Sequence, residues 1–251
     1  VEAEITVTVV TAVAAASFLI GLAKGGLPGL GPVITVLVAL AVPATVALGV
    51  LLPLLMVGDV AALWALRGNV ERSIVTTLLP GAVVGVGLAS MVLTSLSPEA
   101  LEVGIVVIVL LFAAYRAAVL SGREPGLGVS RAVASDAGGT AAGFAAGITS
   151  TVAHSGGPPI AIHLLAHNLA PIRFAGTSAA IFWAINWLKV PGYAVAGLFD
   201  LDLLLGLAPT ALLIPPGVLL GRWVVRRLPA RPFEILVLIG MVVGAGLLLA
   251  T

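Results

Sequence analysis

Lys24-Gly25-Gly26-Leu27-Pro28-Gly29-Leu30-Gly31-Pro32 interrupts an otherwise apolar chain, and His154-Ser155-Gly156-Gly157-Pro158-Pro159 interrupts it again in the second half. Neither stretch sustains a regular helix. Proline removes a backbone donor and clashes with the preceding turn, glycine admits backbone shapes that other residues avoid, and together they leave peptide groups unpaired. Each break is followed by a short apolar segment, 32–42 in the first half and 160–169 in the second. Eleven residues rise about 16 Å as helix, roughly half of a 30 Å hydrocarbon core. The short segments are therefore expected to be half-helices that enter a membrane without comfortably crossing it.

A membrane is required by the composition. The chain has 251 residues, 60% hydrophobic and only 9% charged, where a soluble domain carries about 25% charged residues. Such a chain has too little polar surface to face water, and in lipid all spanning backbone must be paired within helices or closed barrels. At about 20 residues per span, roughly ten segments fill it, leaving no room for an extramembrane catalytic or nucleic-acid-binding domain. Zero cysteines exclude disulfides and thiolate chemistry, and no nucleotide motif is present. No cofactor or metal is expected. The start, VEAE, has no basic region, so the first segment reads as a retained helix.

Outward from the breaks, apolar runs predict spans at 5–23, 44–66, 73–96 and 100–120, then, after the polar linker 121–130, at 131–153, 171–197, 203–221 and 232–250. The fold class is all-α, a polytopic membrane protein of two repeats, 1–120 and 131–251, each with four long helices and one half-helix. Basic residues flanking short loops are held on the cytoplasmic side. With every segment counted as a crossing, 11 of the 12 basic residues share one side: Lys24, Arg67, Arg72, Arg116, Arg123, Arg131, Arg173, Arg222, Arg226, Arg227 and Arg231. Glu2, Glu4, Glu99, Glu102, Asp200 and Asp202 fall on the other. This predicts a multi-pass protein of the cell membrane with both termini outside. An odd number of crossings per half makes the repeats inverted. Echoes agree: Gly25-Gly26-Leu27-Pro28 with Gly156-Gly157-Pro158, Pro43 with Pro171, Pro80-Gly81 and Gly85 with Pro216-Gly217 and Gly221, and Asp59 with Asn186. Beside the paired glycines Lys24 matches Ser155, with His154 adjacent, so the site is asymmetric.

A half-helix opening at a break aims free N–H groups and partial positive charge into the protein. Two such ends meeting near the midplane make an anion site, drawing on Lys24, Gly25, Gly26, Gly29, Gly31, His154, Ser155, Gly156 and Gly157. The bland alternative is that these glycines and prolines only serve close helix packing or surface turns. Charges within spans cost about 2.5–3.5 kcal/mol on insertion scales, which singles out Asp59 and Lys189. Asp59 is either a carrier of a coupling proton or cation, or a structural partner of Lys189 or a helix cap. Lys189, one turn from Asn186, either neutralises the anion or pairs with Asp59. Arg173 either reaches the anion or snorkels to the inner interface. Trp183 and Trp187 either wall a cavity or pack between helices. His163 and His167 have a metal-compatible i, i+4 spacing, but no acidic residue stands near them, which favours packing. The Gly-x-Ser-x-Gly pattern is missing around Ser155, which argues against a hydrolase.

The run GLAKGGLPGLGP, then Pro43 and a helix with Asp59, followed by HSGGPP, Arg173, Asn186 and Lys189, resembles the TauE/SafE family of bacterial membrane proteins over nearly the whole chain. The resemblance implies a secondary transporter, not an enzyme, that exports small sulfur-containing anions such as sulfite or organosulfonates. Its partners would be the anionic substrate, the lipid bilayer and a coupling proton or cation. Two other classes compete: a half-helix channel, for which an Asn-Pro-Ala motif is lacking, and an intramembrane lipid-phosphate hydrolase, which would gather several charged groups at one break.

Overall fold

The computed structural model describes residues 5–26, 30–93, 95, 97–120, 127–167 and 169–225. Every regular element among them is helical. The first half contains α1 (Val7–Lys24), α2 (Gly31–Ala39), α3 (Ala44–Ala65), α4 (Arg72–Leu93) and α5 (Pro98–Leu120). The second contains α6 (Leu127–Ala134), α7 (Asp136–Ala153), α8 (Gly157–Ala166), α9 (Pro171–Val195), α10 (Leu201–Leu207), a 3-10 turn (Ala208–Leu213) and α11 (Ile214–Val225). Val7–Lys24, Ala44–Ala65, Arg72–Leu93 and Leu201–Trp223 are long and apolar enough to cross a membrane. The expected span at 232–250, the turn residues Arg123, Arg226, Arg227 and Arg231, and Gly29 lie outside the described residues.

Two expected spans are subdivided. The run 131–153 is broken at Ser135, whose hydroxyl caps α7 by accepting from the Gly138 N–H at 3.1 Å, and α6 takes up residues 127–130 of the polar linker. The run 203–221 contains the 3-10 turn, opened by Pro209 and followed by Pro215 and Pro216 at the start of α11. Proline cannot donate to the preceding turn, so the helix is interrupted wherever prolines cluster.

Small residues decide how the long helices meet. Along α4 and α7, a Cβ added to Gly81, Gly85, Gly143 or Gly147 would strike the carbonyl of Thr140, Phe144, Leu78 or Ala82 on the facing helix. Along α1 and α11 the arrangement recurs: Gly217, Gly221, Gly21 and Gly25 meet the carbonyls of Phe18, Leu22, Ile214 and Val218. Gly21 to Gly143 and Gly25 to Gly147 are both steps of 122 residues, while Gly81 to Gly217 and Gly85 to Gly221 are both 136. Backbone contact at glycine is the way helices associate where lipid removes any hydrophobic drive between them. Each half thus lays its third long segment on the first long helix of the other half. In this register Lys24 corresponds to Ala146 and not to Ser155. α7 continues to Ala153, about two turns further than α1, which is the physical source of the asymmetry between the breaks.

α3 packs against α9. A third pair of contacts links them: the Leu198 carbonyl, after α9, abuts Gly49 on α3, and the Asn69 carbonyl, after α3, abuts Gly176 on α9. One apolar core gathers Ile20, Ile34, Leu51 and Ile214, and another gathers Leu78, Ala146, Ile160, Ile181 and Ile185.

Candidate functional site

The first break begins where α1 ends. Gly25 is still helical and Gly26 adopts φ 123°, a conformation open to glycine and strained for other residues. The second break begins at His154, which caps α7 in the left-handed region at φ 49°. There Ser155 N–H reaches back to the Thr149 carbonyl at 3.1 Å, satisfying an acceptor that the helix end leaves open. Pro158 and Pro159 carry no N–H. Gly156 and Gly157 are the remaining amide donors of that turn.

The two breaks come together. A Cβ on Gly31, the first residue of α2, would sit 2.7 Å from the His154 carbonyl. Thr35 on α2 donates to the Ala153 carbonyl at 2.9 Å, so the start of α2 is tied to the end of α7. Phe182 on α9 lies between the breaks: the Lys24 ammonium is 4.5 Å from its ring centroid, and the ring stands within van der Waals reach of the Cβ positions of Gly156 and Gly157.

Two polar clusters fill this junction. In one, Asp59 is 0% exposed and accepts from Lys24 Nζ in an ion pair and from Asn186 Nδ2 at 2.6 Å. In the other, Lys189, also 0% exposed, donates to the Ser150 carbonyl and hydroxyl, both at 3.2 Å, and to His154 Nδ1 at 3.0 Å. His154 Nε2 faces the Leu48 carbonyl at 3.2 Å. A carbonyl only accepts, so Nε2 carries the proton and Nδ1 is free to accept from Lys189. This assignment makes His154 neutral. Asp59 therefore pairs with Lys24, and the expected Asp59–Lys189 pairing is replaced. Tyr193, one turn beyond Lys189 on α9, donates to the Thr151 carbonyl at 2.6 Å.

Several expected residues are elsewhere. Arg173 is paired with Glu71 at 2.9 Å, both partly exposed, and stands about 20 Å along α9 from Asn186. It does not join the junction. Ser155 donates to the Ala153 carbonyl at 2.9 Å, so it is not paired with a histidine base. Trp183 and Trp187 are 41% and 53% exposed and turn away from the breaks. His163 Nδ1–H donates to the Val133 carbonyl at 2.7 Å, and His167 Nδ1–H to the His163 carbonyl at 2.9 Å. Among the described residues no cluster of three or more His, Asp or Glu is placed to hold a metal.

Sequence reasoning passed over Phe182 and Tyr193. Phe182, Asn186, Lys189 and Tyr193 follow one another at steps of four, three and four, which is a single helical face. That spacing around Asn186 was the available signal. Comparison with curated proteins and with solved structures gave no match. The family model described as sulfite exporter TauE/SafE matches residues 13–248, nearly the whole chain and both breaks. The chain belongs to the TauE/SafE family, which is a family of membrane transporters and not of enzymes.

Proposed function

We propose that the protein is a secondary transporter that moves a small sulfur-containing oxyanion, sulfite or an organosulfonate, out of the cell by alternating access. The observation that carries this reading is the junction of the two breaks, Gly31 against the His154 carbonyl with Phe182 between Lys24 and Gly156. Broken helices that face one another across the two halves of a transporter are the usual site of an anionic substrate. Support for two inverted repeats, 1–120 and 131–251, comes from the matching glycine contacts of α4 on α7 and α11 on α1. In this reading α2 and α8 are the half-helices and both termini lie outside.

The substrate is held by Lys189, by the Gly156 and Gly157 amides and by the α2 start at Gly31, with Lys24, Asn186, His154 and Ser155 around it. Gly25 serves the packing of α1 on α11. Asp59 carries the coupling proton or cation: when neutralised it releases Lys24, so occupancy of the carboxylate and charge at the first break are linked. Loading proteoliposomes with radiolabelled sulfite and organosulfonates tests the reading. Flux above protein-free vesicles is expected, and its absence for all of them overturns the substrate assignment. Asp59→Asn is expected to flatten the pH dependence of flux and to impair coupling more than binding. An unchanged pH profile would remove Asp59 from the coupling role.

A further inference from the structure

The two lysines at the junction are not equivalent. Lys24 has a carboxylate partner, Asp59, and their charges cancel. Lys189 has none. Its three hydrogen-bond partners are the Ser150 carbonyl, the Ser150 hydroxyl and His154 Nδ1, three acceptors for the three N–H donors of an ammonium, and all of them neutral. His154 adds no charge, because its Nε2–H is committed to the Leu48 carbonyl and its Nδ1 to Lys189. Asn186, which stands one turn from Lys189 on the same face, spends its amide on Asp59. Among the described residues the titratable side chains facing this junction are thus Lys24, Asp59, Lys189, His154 and Tyr193, whose phenol donates to the Thr151 carbonyl. With Lys189 as the ammonium that its three acceptors call for, their charges sum to one uncancelled positive unit, on a residue that is 0% exposed.

A buried ion is stable when it is paired, and an isolated charge in a membrane interior is costly. We infer that the site between the breaks is built for a tetrahedral oxyanion carrying one negative charge, such as an alkanesulfonate or hydrogen sulfite, and that it discriminates against both neutral isosteres and dianions. The inference rests on the proposed anion site and adds the charge of its occupant. A monoanion cancels Lys189. A dianion leaves one negative unit uncancelled, and a neutral ligand leaves Lys189 as it is. Specificity then comes from an uncompensated charge imposed on the wrong ligand.

The test uses three tetrahedral sulfur compounds of similar size that differ in charge: dimethyl sulfone, methanesulfonate and sulfate. Binding of each to the purified wild-type protein in detergent is measured by calorimetry at neutral pH. Methanesulfonate is expected to bind at least about tenfold more tightly than either of the others, the equivalent of one modest uncompensated charge. Sulfate binding as tightly as methanesulfonate, or dimethyl sulfone doing so, would overturn the charge assignment while leaving a ligand site in place. Failure of all three to bind would remove the anion site itself and with it the inference. Asp59→Asn supplies a second measurement, since it raises the charge of the junction by one unit. In a folded Asp59→Asn protein the preference is expected to shift toward sulfate, and an unshifted ratio would contradict the charge count.

Discussion

Removing one partner of the Lys24–Asp59 pair has a consequence that can be worked out from its burial. Asp59 is 0% exposed and the Lys24 side chain 10% exposed, so neither charge is relieved by water when its partner is lost. Breaking a buried ion pair from one side costs about 3–5 kcal/mol. Lys24→Met and Asp59→Leu should each lower stability by about that amount, Asp59→Leu somewhat more because it also strands the Asn186 amide, worth about 1–3 kcal/mol when buried and unpaired. The double variant carries no buried charge at this point. It should lose only the Asn186 contribution, about 1–3 kcal/mol, where independent effects would add to about 7–13 kcal/mol. Equilibrium unfolding of the four proteins in one detergent, followed by tryptophan fluorescence, completes the cycle. A double variant as unstable as the sum of its singles would refute the pairing of Lys24 with Asp59 and with it the charge count at the junction.

Further outcomes follow from the same geometry. Gly81→Leu should destabilise by about 1–3 kcal/mol or more through overpacking against α7, because its Cβ meets the Thr140 carbonyl, whereas Gly87→Leu on the same helix meets nothing within 4 Å and should be close to neutral; thermal unfolding in detergent separates the two. At His154 the left-handed backbone tolerates glycine and resists β-branched side chains. His154→Val should therefore be about 1–3 kcal/mol less stable than His154→Gly, while both lose the acceptor for Lys189 and should lose transport. Equal stability of the two variants would mean that the left-handed cap is not kept in the folded protein.

The breaks and the short segments after them could be read from the chain, because glycine and proline act locally. Asp59 and Asn186, both singled out in the sequence, are joined by a hydrogen bond. The interior partners could not be read the same way. Two lysines compete for one aspartate, and the choice depends on how far the last turn of α1 reaches toward α3, a tertiary distance that local pattern does not encode. The division between α6 and α7 was legible in principle, since Ser135-Asp136 is an N-cap followed by a first-turn acid, but the apolar flanks masked it. The three-part form of 201–225 was likewise announced by Pro209, Pro215 and Pro216. For Arg173, an inner-end basic residue could not be assigned to Glu71 without knowing that the α3–α4 connection folds over the start of α9.

The most direct measurement is an anomalous difference map of the protein bound to 2-bromoethanesulfonate, an organosulfonate marked by its bromine. The sulfonate is expected between the breaks, near the charge of Lys189 and with an oxygen about 3 Å from the amide of Gly156 or Gly157. A sulfonate bound only at the protein surface, or none at saturating concentration, would contradict the claim that the paired breaks form the substrate site.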